Sequence, residues 1–131
     1  METDGPLHLL TDDLYPLVAE WWTGHGFPAI PRRRLPHVSV MHAGGAFGCL
    51  YMDNGGTGVA MMEWLVTDPQ AAPRAAARAL CDVVEFVKET ARAHDYDMIL
   101  TTCRQPSLAR LLERVGFTRS DEGMIHLFAN L

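Results

Sequence analysis

The sequence is poor in the residues that build disulfide frameworks, zinc knuckles and serine nucleophiles. Its three cysteines, Cys49, Cys81 and Cys103, lie far apart and form no C-x-x-C pair; they are expected in the interior as small hydrophobes. The three serines, Ser39, Ser107 and Ser120, occupy no G-x-S-x-G elbow, so serine-hydrolase chemistry is not indicated. Positive charge is also scarce: Asp and Glu number 16 against 11 Lys and Arg, for a formal net charge of −5. No nucleic-acid footprint follows from such a balance, and the triplet Arg32-Arg33-Arg34, flanked by prolines, reads as a solvated loop. Long apolar runs are missing too. The N-terminus, METDGPLHLLTDDLYPL, is acidic and broken by prolines, with no basic leader and no stretch suited to export or to spanning a bilayer, so a cytoplasmic location without a membrane partner is expected. Six histidines offer no metal-ligand spacing: His37 and His42 would face opposite sides of one strand.

What is present is enough for one domain, residues 1–131, with 48% hydrophobic content to fill a core. The organising stretch runs from Gly58 to Arg92. Val59 to Val66 is an almost unbroken apolar run, the pattern of a central strand covered on both faces, and Glu63 alone interrupts it. After a turn at Asp68-Pro69 the period changes. Ala76, Leu80, Val84, Val87 and Ala91 recur at helical spacing, and Pro73 suits the first helical turn, where its missing N–H would have gone unpaired. A helix N-terminus with free amides is thus predicted just beyond a central strand, an arrangement that can hold a phosphate.

The flanking segments complete an α/β pattern. Leu7 to Leu10 predicts a short strand, and Thr11-Asp12-Asp13 supplies cap oxygens for a helix that places Leu14, Leu17, Val18 and Trp21 on one face and ends at Gly24 and Gly26. Pro28, Pro31 and Pro36 confine 26–36 to a loop with at most one helical turn. His37 to Met41 and Ala46 to Met52 predict two strands around Gly44-Gly45, and Asp53-Asn54-Gly55-Gly56 turns into the strand that follows. Asp97 to Thr102 predicts another strand. Gln105-Pro106-Ser107 opens a last helix bearing Leu108, Leu111, Leu112 and Val115, closed by Gly116, and Gly123 to Phe128 predicts a final strand. The result is an α/β (α+β) domain with a mixed, mostly antiparallel sheet of about six strands and helices on both faces.

This order, together with Glu63-Trp64-Leu65-Val66-Thr67-Asp68-Pro69 and Gly116-Phe117, resembles the GNAT superfamily of acyl-CoA N-acyltransferases over nearly the whole chain. In that family an E-x-L-x-V-x-P strand feeds a Q/R-x-x-G-x-G/A loop at a helix N-terminus, which holds the coenzyme A pyrophosphate. The loop falls here on Ala72-Pro73-Arg74-Ala75-Ala76-Ala77: Ala77 fits, whereas Ala72 and Ala75 replace the polar residue and the first glycine. The family's Asn falls on Gln105 and its catalytic Tyr on Leu112. Trp21-Trp22, His25-Gly26 and the proline-rich loop to Leu35-Pro36 give a narrower resemblance to GNAT-like proteins encoded by bacteriophages and prophages.

The resemblance implies acetyl-CoA as cosubstrate, direct transfer to a small-molecule or peptide amine, and Glu63 as general base through water. It implies cofactor contacts from the backbone of Leu65, Val66 and Thr67 and from Arg74, Ala75, Ala77 and Gln105. Trp22, His25 and Phe27 lie where acceptor-binding segments of the family lie. The open edge of the sheet leaves pairing with a second copy, a homodimer, available. The competing expectation is a GNAT-fold binding or interaction protein without catalysis, since the loop glycine and the Tyr are absent.

Overall fold

The computed structural model describes residues 5–131; the first four residues of the acidic N-terminus lie outside it. The elements run β1 (Leu7–Leu9), α1 (Tyr15–Gly24), a 3₁₀ turn (Arg32–Arg34), β2 (Val38–His42), β3 (Ala46–Met52), β4 (Val59–Thr67), α2 (Pro73–Ala93), β5 (Met98–Thr101) and α3 (Pro106–Arg114). The strands form one sheet in sequence order, antiparallel from β1 to β4 and parallel between β4 and β5.

Two cores sit on the two faces. α2 supplies Ala76, Ala79, Leu80, Val83, Val84, Val87 and Ala91 to one face, where they meet Val38, Val40, Leu50, Ala60 and Met62 of the strands and Leu111 and Leu112 of α3. The other face is covered by α1 through Val18, Trp21 and Trp22, packed with Met41, Phe47, Cys49 and Val66. Alternation along β3 and β4 divides these residues between the faces, so a one-residue slip in register would exchange the cores.

β4 breaks its alternation once. Phe47 pairs with Val66, but Cys49 pairs with Glu63, so Gly48 faces both Trp64 and Leu65. This is a β-bulge, and Trp64 takes a φ of 62° to make it. Gly48 is required opposite: a Cβ there would lie 2.5 Å from Leu65 Cδ2 and 3.1 Å from Val83 Cγ1. The indole Nε1 of Trp64 donates to the Tyr51 hydroxyl at 2.9 Å, and that hydroxyl donates to the Arg34 carbonyl at 2.7 Å, which anchors the strained residue.

Several expectations are corrected. The sheet has five strands among the described residues, and Gly123 to Phe128 forms no strand. Met124 and Ile125, then Leu127 and Phe128, stand side by side in sequence, so strand alternation would select no single face for burial, and all four are exposed. β4 is covered on both faces only from Met62 onward, because Met61 is exposed. In α1 the buried face is Val18, Trp21 and Trp22, with Leu17 exposed; the Thr11 hydroxyl oxygen does cap the turn that leads into it, accepting from the Leu14 amide at 3.3 Å. Only Cys49 is buried; Cys81 is partly exposed and Cys103 exposed. Arg32 of the arginine triplet is tied to Asp12 at 3.2 Å and to the Leu10 carbonyl at 3.3 Å.

Gly48→Ala is expected to destabilise the domain by about 1–3 kcal/mol through overpacking against the bulge. Leu65→Ala in the same chain should recover part of that loss, as a double-mutant cycle in urea would measure. Additive losses would show that the bulge does not press on Gly48.

Candidate active site at the parting of two strands

The parallel ladder between β4 and β5 joins Val59 to Met98 and ends at Met62 with Thr101. Its closing tie is a side-chain bond, with the Thr101 hydroxyl donating to the Met62 carbonyl at 2.6 Å. Beyond it the bulge re-aims β4, and no further ladder pair links the two strands among the described residues. Glu63, Trp64, Leu65, Val66 and Thr67 therefore present one backbone edge to β3 and leave the other without a strand partner.

Glu63 is the first residue past the last pair. It lies on the α1 face, opposite Cys49, and is only 6% exposed. One carboxylate oxygen, Oε2, accepts from the Thr102 hydroxyl at 3.1 Å; the other, Oε1, is buried and has no protein partner. Burial pushes the carboxyl above its usual range, while the Thr102 hydrogen bond and the nearby His126 imidazole pull it back. The Cys49 thiol donates to the Glu63 carbonyl at 3.1 Å, and burial with the neighbouring carboxylate pushes that thiol far up, which makes it inert packing.

The N-terminus of α2 follows the strand end through a short turn, in which Asp68 accepts from the Gln70 amide at 2.9 Å and the Asp68 amide donates to the Gly45 carbonyl. Ala72 occupies the cap position with no side-chain cap bond, and the first turn holds no acidic residue. Pro73 has no N–H, and the Ala76 amide bonds Ala72, so Arg74 and Ala75 carry the orphan amides. The Arg74 side chain is exposed in that same turn, and Ala77 is half-buried on the next.

The remaining expected site residues separate into two groups. His25 and Phe27 stand at the rim: the His25 Nε2 donates to the Thr67 carbonyl at 2.8 Å, and the two rings stack at 6.3 Å between centroids. Gln105 is exposed at the start of α3, just past β5. Trp22 is the correction. It is 3% exposed and meets Phe47 edge to face at 5.5 Å, so it packs the α1 core and lines no acceptor pocket. Leu112, at the family's Tyr position, is buried in the α2 core.

Sequence reasoning missed three contributors: Thr102, which binds Glu63; Arg104, whose guanidinium carbon lies 5.3 Å over the Phe27 ring; and the bulge at Trp64. Gly48, a lone glycine inside a strand pattern, was the available signal for the last. A cavity of about 410 Å³ lies at the other end of the sheet, lined by Asp53, Asn54, Gly56, Gly58, His94, Asp95 and Tyr96, and includes none of these groups.

The fold is found in solved proteins. An Agrobacterium tumefaciens protein assigned as an acetyltransferase superimposes with a TM-score of 0.70 at 16% identity, covering 93% of this chain and 99% of its own. A Trypanosoma brucei acetyltransferase gives 0.61 at 20% identity, covering 94% and 98%. A Bacillus halodurans transcriptional regulator gives 0.64 at 15% identity, covering 93% and 98%. The chain has the GNAT fold. No protein-family profile matches the sequence, and no curated protein aligns with it significantly.

The raised carboxyl has a stability consequence. Between its ordinary value of 4.5 and its raised one, the native state keeps a proton that the unfolded chain has released, so the Glu63 contribution to stability falls as pH rises through that window. The stability of Glu63→Gln relative to the parent is therefore expected to grow from acidic to neutral pH in calorimetric scans. A difference that stays constant with pH would show the carboxyl to be ordinarily solvated.

Proposed function

We propose that the protein is an acetyl-CoA-dependent N-acetyltransferase that transfers its acyl group directly to an amine. The observation that carries this reading is the half-satisfied Glu63 carboxylate at the first position beyond the last β4–β5 pair. The edge of Leu65, Val66 and Thr67, which among the described residues no strand covers and whose Thr67 carbonyl is held by His25, suits the amides of the pantetheine arm, added as a strand would be. The Arg74 and Ala75 amides, with the Arg74 guanidinium, suit the pyrophosphate. Gln105, exposed just past β5, would meet the cofactor from the β5 side.

In this reading the amine nitrogen attacks the thioester carbonyl carbon, and its proton passes through water to Glu63 Oε1 as the C–S bond breaks. A raised carboxyl is a better base for this step than an ordinary one. With Leu112 in the family's Tyr position, the leaving thiolate takes its proton from water; thiols of pKa about 8.5 leave without a positioned acid. Positioning in the wedge supplies the main acceleration.

The second reading, a GNAT-fold binding protein without catalysis, is favoured by Leu112 and by the Ala75 methyl where the family has glycine. The narrower likeness to phage-encoded proteins suggests no acceptor.

Acetyl-CoA at a hundredfold excess over its dissociation constant should stabilise the fold by about 2.7 kcal/mol, read as a rise in melting temperature. Glu63→Gln should keep that rise and slow thiol release with an acceptor amine by about 10²–10⁴-fold. No rise at millimolar acetyl-CoA would sink the transferase reading, and an unchanged rate would remove Glu63 from the chemistry.

A further inference from the structure

We infer that the acceptor carries an anionic group as well as the reacting amine, and that Arg104 holds it. This inference rests on the transfer reading and names the substrate class for that site. The guanidinium comes from the loop between β5 and α3, and it sits 5.3 Å over the ring of Phe27, which belongs to the loop after α1. Phe27 stacks on His25, and His25 is hydrogen-bonded to Thr67 at the end of β4. A continuous chain of contacts thus runs from the end of one parting strand to the segment beyond the other, and the cation stands on it.

Among the described residues, the ion pairs engage Arg32, His42, Lys88 and Arg119, and none engages Arg104. Its planar face is occupied by the aromatic ring, which leaves the N–H edge of the fork available for a carboxylate or phosphate. The chain keeps the cation in the neighbourhood of the reacting group: Thr102 bonds Glu63, and Arg104, exposed, is two residues on, so the Cα atoms of Thr102 and Arg104 are at most about 7 Å apart. A small molecule with an amine and an anion separated by a few methylenes suits that neighbourhood.

The charges also sort by sign. The carboxylate of Glu63 faces the amine, and the guanidinium faces the anion, so a zwitterion enters in one orientation. Reversal would set like charges together at both ends, which gives register as well as affinity.

The test uses two probes matched in amine basicity, 5-aminopentanoate and pentylamine, with acetyl-CoA and the full chain. The parent should release thiol with a kcat/KM about tenfold higher for 5-aminopentanoate, and phosphoethanolamine against ethanolamine distinguishes a phosphate preference from a carboxylate one. Arg104→Gln should bring the ratio to about one, and Arg104→Lys should keep part of it. Equal rates on both probes by the parent, or equal losses on both in Arg104→Gln, would overturn the inference while leaving the transfer reading intact. Loss of the acetyl-CoA melting shift in Arg104→Gln would also overturn it, by placing the guanidinium on the thioester side. If no amine releases thiol, the transfer reading fails by itself. Binding of the two probes in the presence of coenzyme A, followed by NMR, still decides the anion site: tighter 5-aminopentanoate binding lost in Arg104→Gln supports it, and equal binding refutes it.

Discussion

A single extra residue on β4 sets the rest of the structure. Two residues, Trp64 and Leu65, oppose Gly48, and the left-handed backbone at Trp64 stores strain of order 1–3 kcal/mol. Ordinary β3–β4 pairing would have relieved that strain. The surroundings hold it instead: Trp64 is bonded through Tyr51 to the Arg34 carbonyl, and Leu65 packs into the space that a Cβ on Gly48 would fill. The bulge at Trp64 begins just past the last β4–β5 pair, where β5 ends at Thr101, and the β4 edge beyond it carries no strand partner among the described residues.

The two ends of the sheet differ in how completely their polar groups are satisfied. At the end away from the bulge, the Tyr96 hydroxyl donates to the Asp53 carbonyl, and the Asp97 and Met98 amides both reach the Gly58 carbonyl. At the bulged end, a buried carboxylate oxygen has no partner, a 21-residue helix begins without a side-chain cap, and a strand edge has no neighbour. Each of these opposes stability by itself. Their convergence on one opening is the pattern of a site whose missing partners arrive with a ligand, and it gives the transfer reading physical content beyond shared topology.

Most of the fold was legible because its signals were local and mutually consistent. The 3.6-residue period from Ala76 to Ala91, the prolines at 73 and 106, and the glycine pair at 44 and 45 each identified an element that formed within a residue or two of expectation. Glu63 stood out because a carboxylate in an apolar run needs a reason. The final strand failed because strand formation depends on a partner edge, which no periodicity encodes; with apolar residues in adjacent pairs, Met124 to Phe128 had no face to bury. Trp22 was misplaced for a related reason. An aromatic after a helix reads the same whether it packs on Phe47 or faces a ligand. Thr102 and Arg104 were invisible because their meaning comes from tertiary neighbours, Glu63 and Phe27, tens of residues away.

If the protein transfers acyl groups, the burial of Leu112 decides how the chemistry has to be divided. It belongs to the core shared by α2 and α3, so restoring a phenol there would place a hydroxyl against Leu111, Val87 and their neighbours and cost stability unless it found a partner. A site without that acid cannot speed the breakdown step by proton donation, so its advantage has to come earlier, in orienting the amine and removing its proton. That moves the demand onto Glu63 and onto whatever fixes the acceptor relative to it. A cation stacked on an aromatic face, two residues beyond the Thr102 that bonds Glu63, meets the second requirement. On the transfer reading, Leu112 at the Tyr position and the Arg104 guanidinium on Phe27 belong to one physical solution, in which ground-state orientation carries the work that a positioned acid would otherwise share.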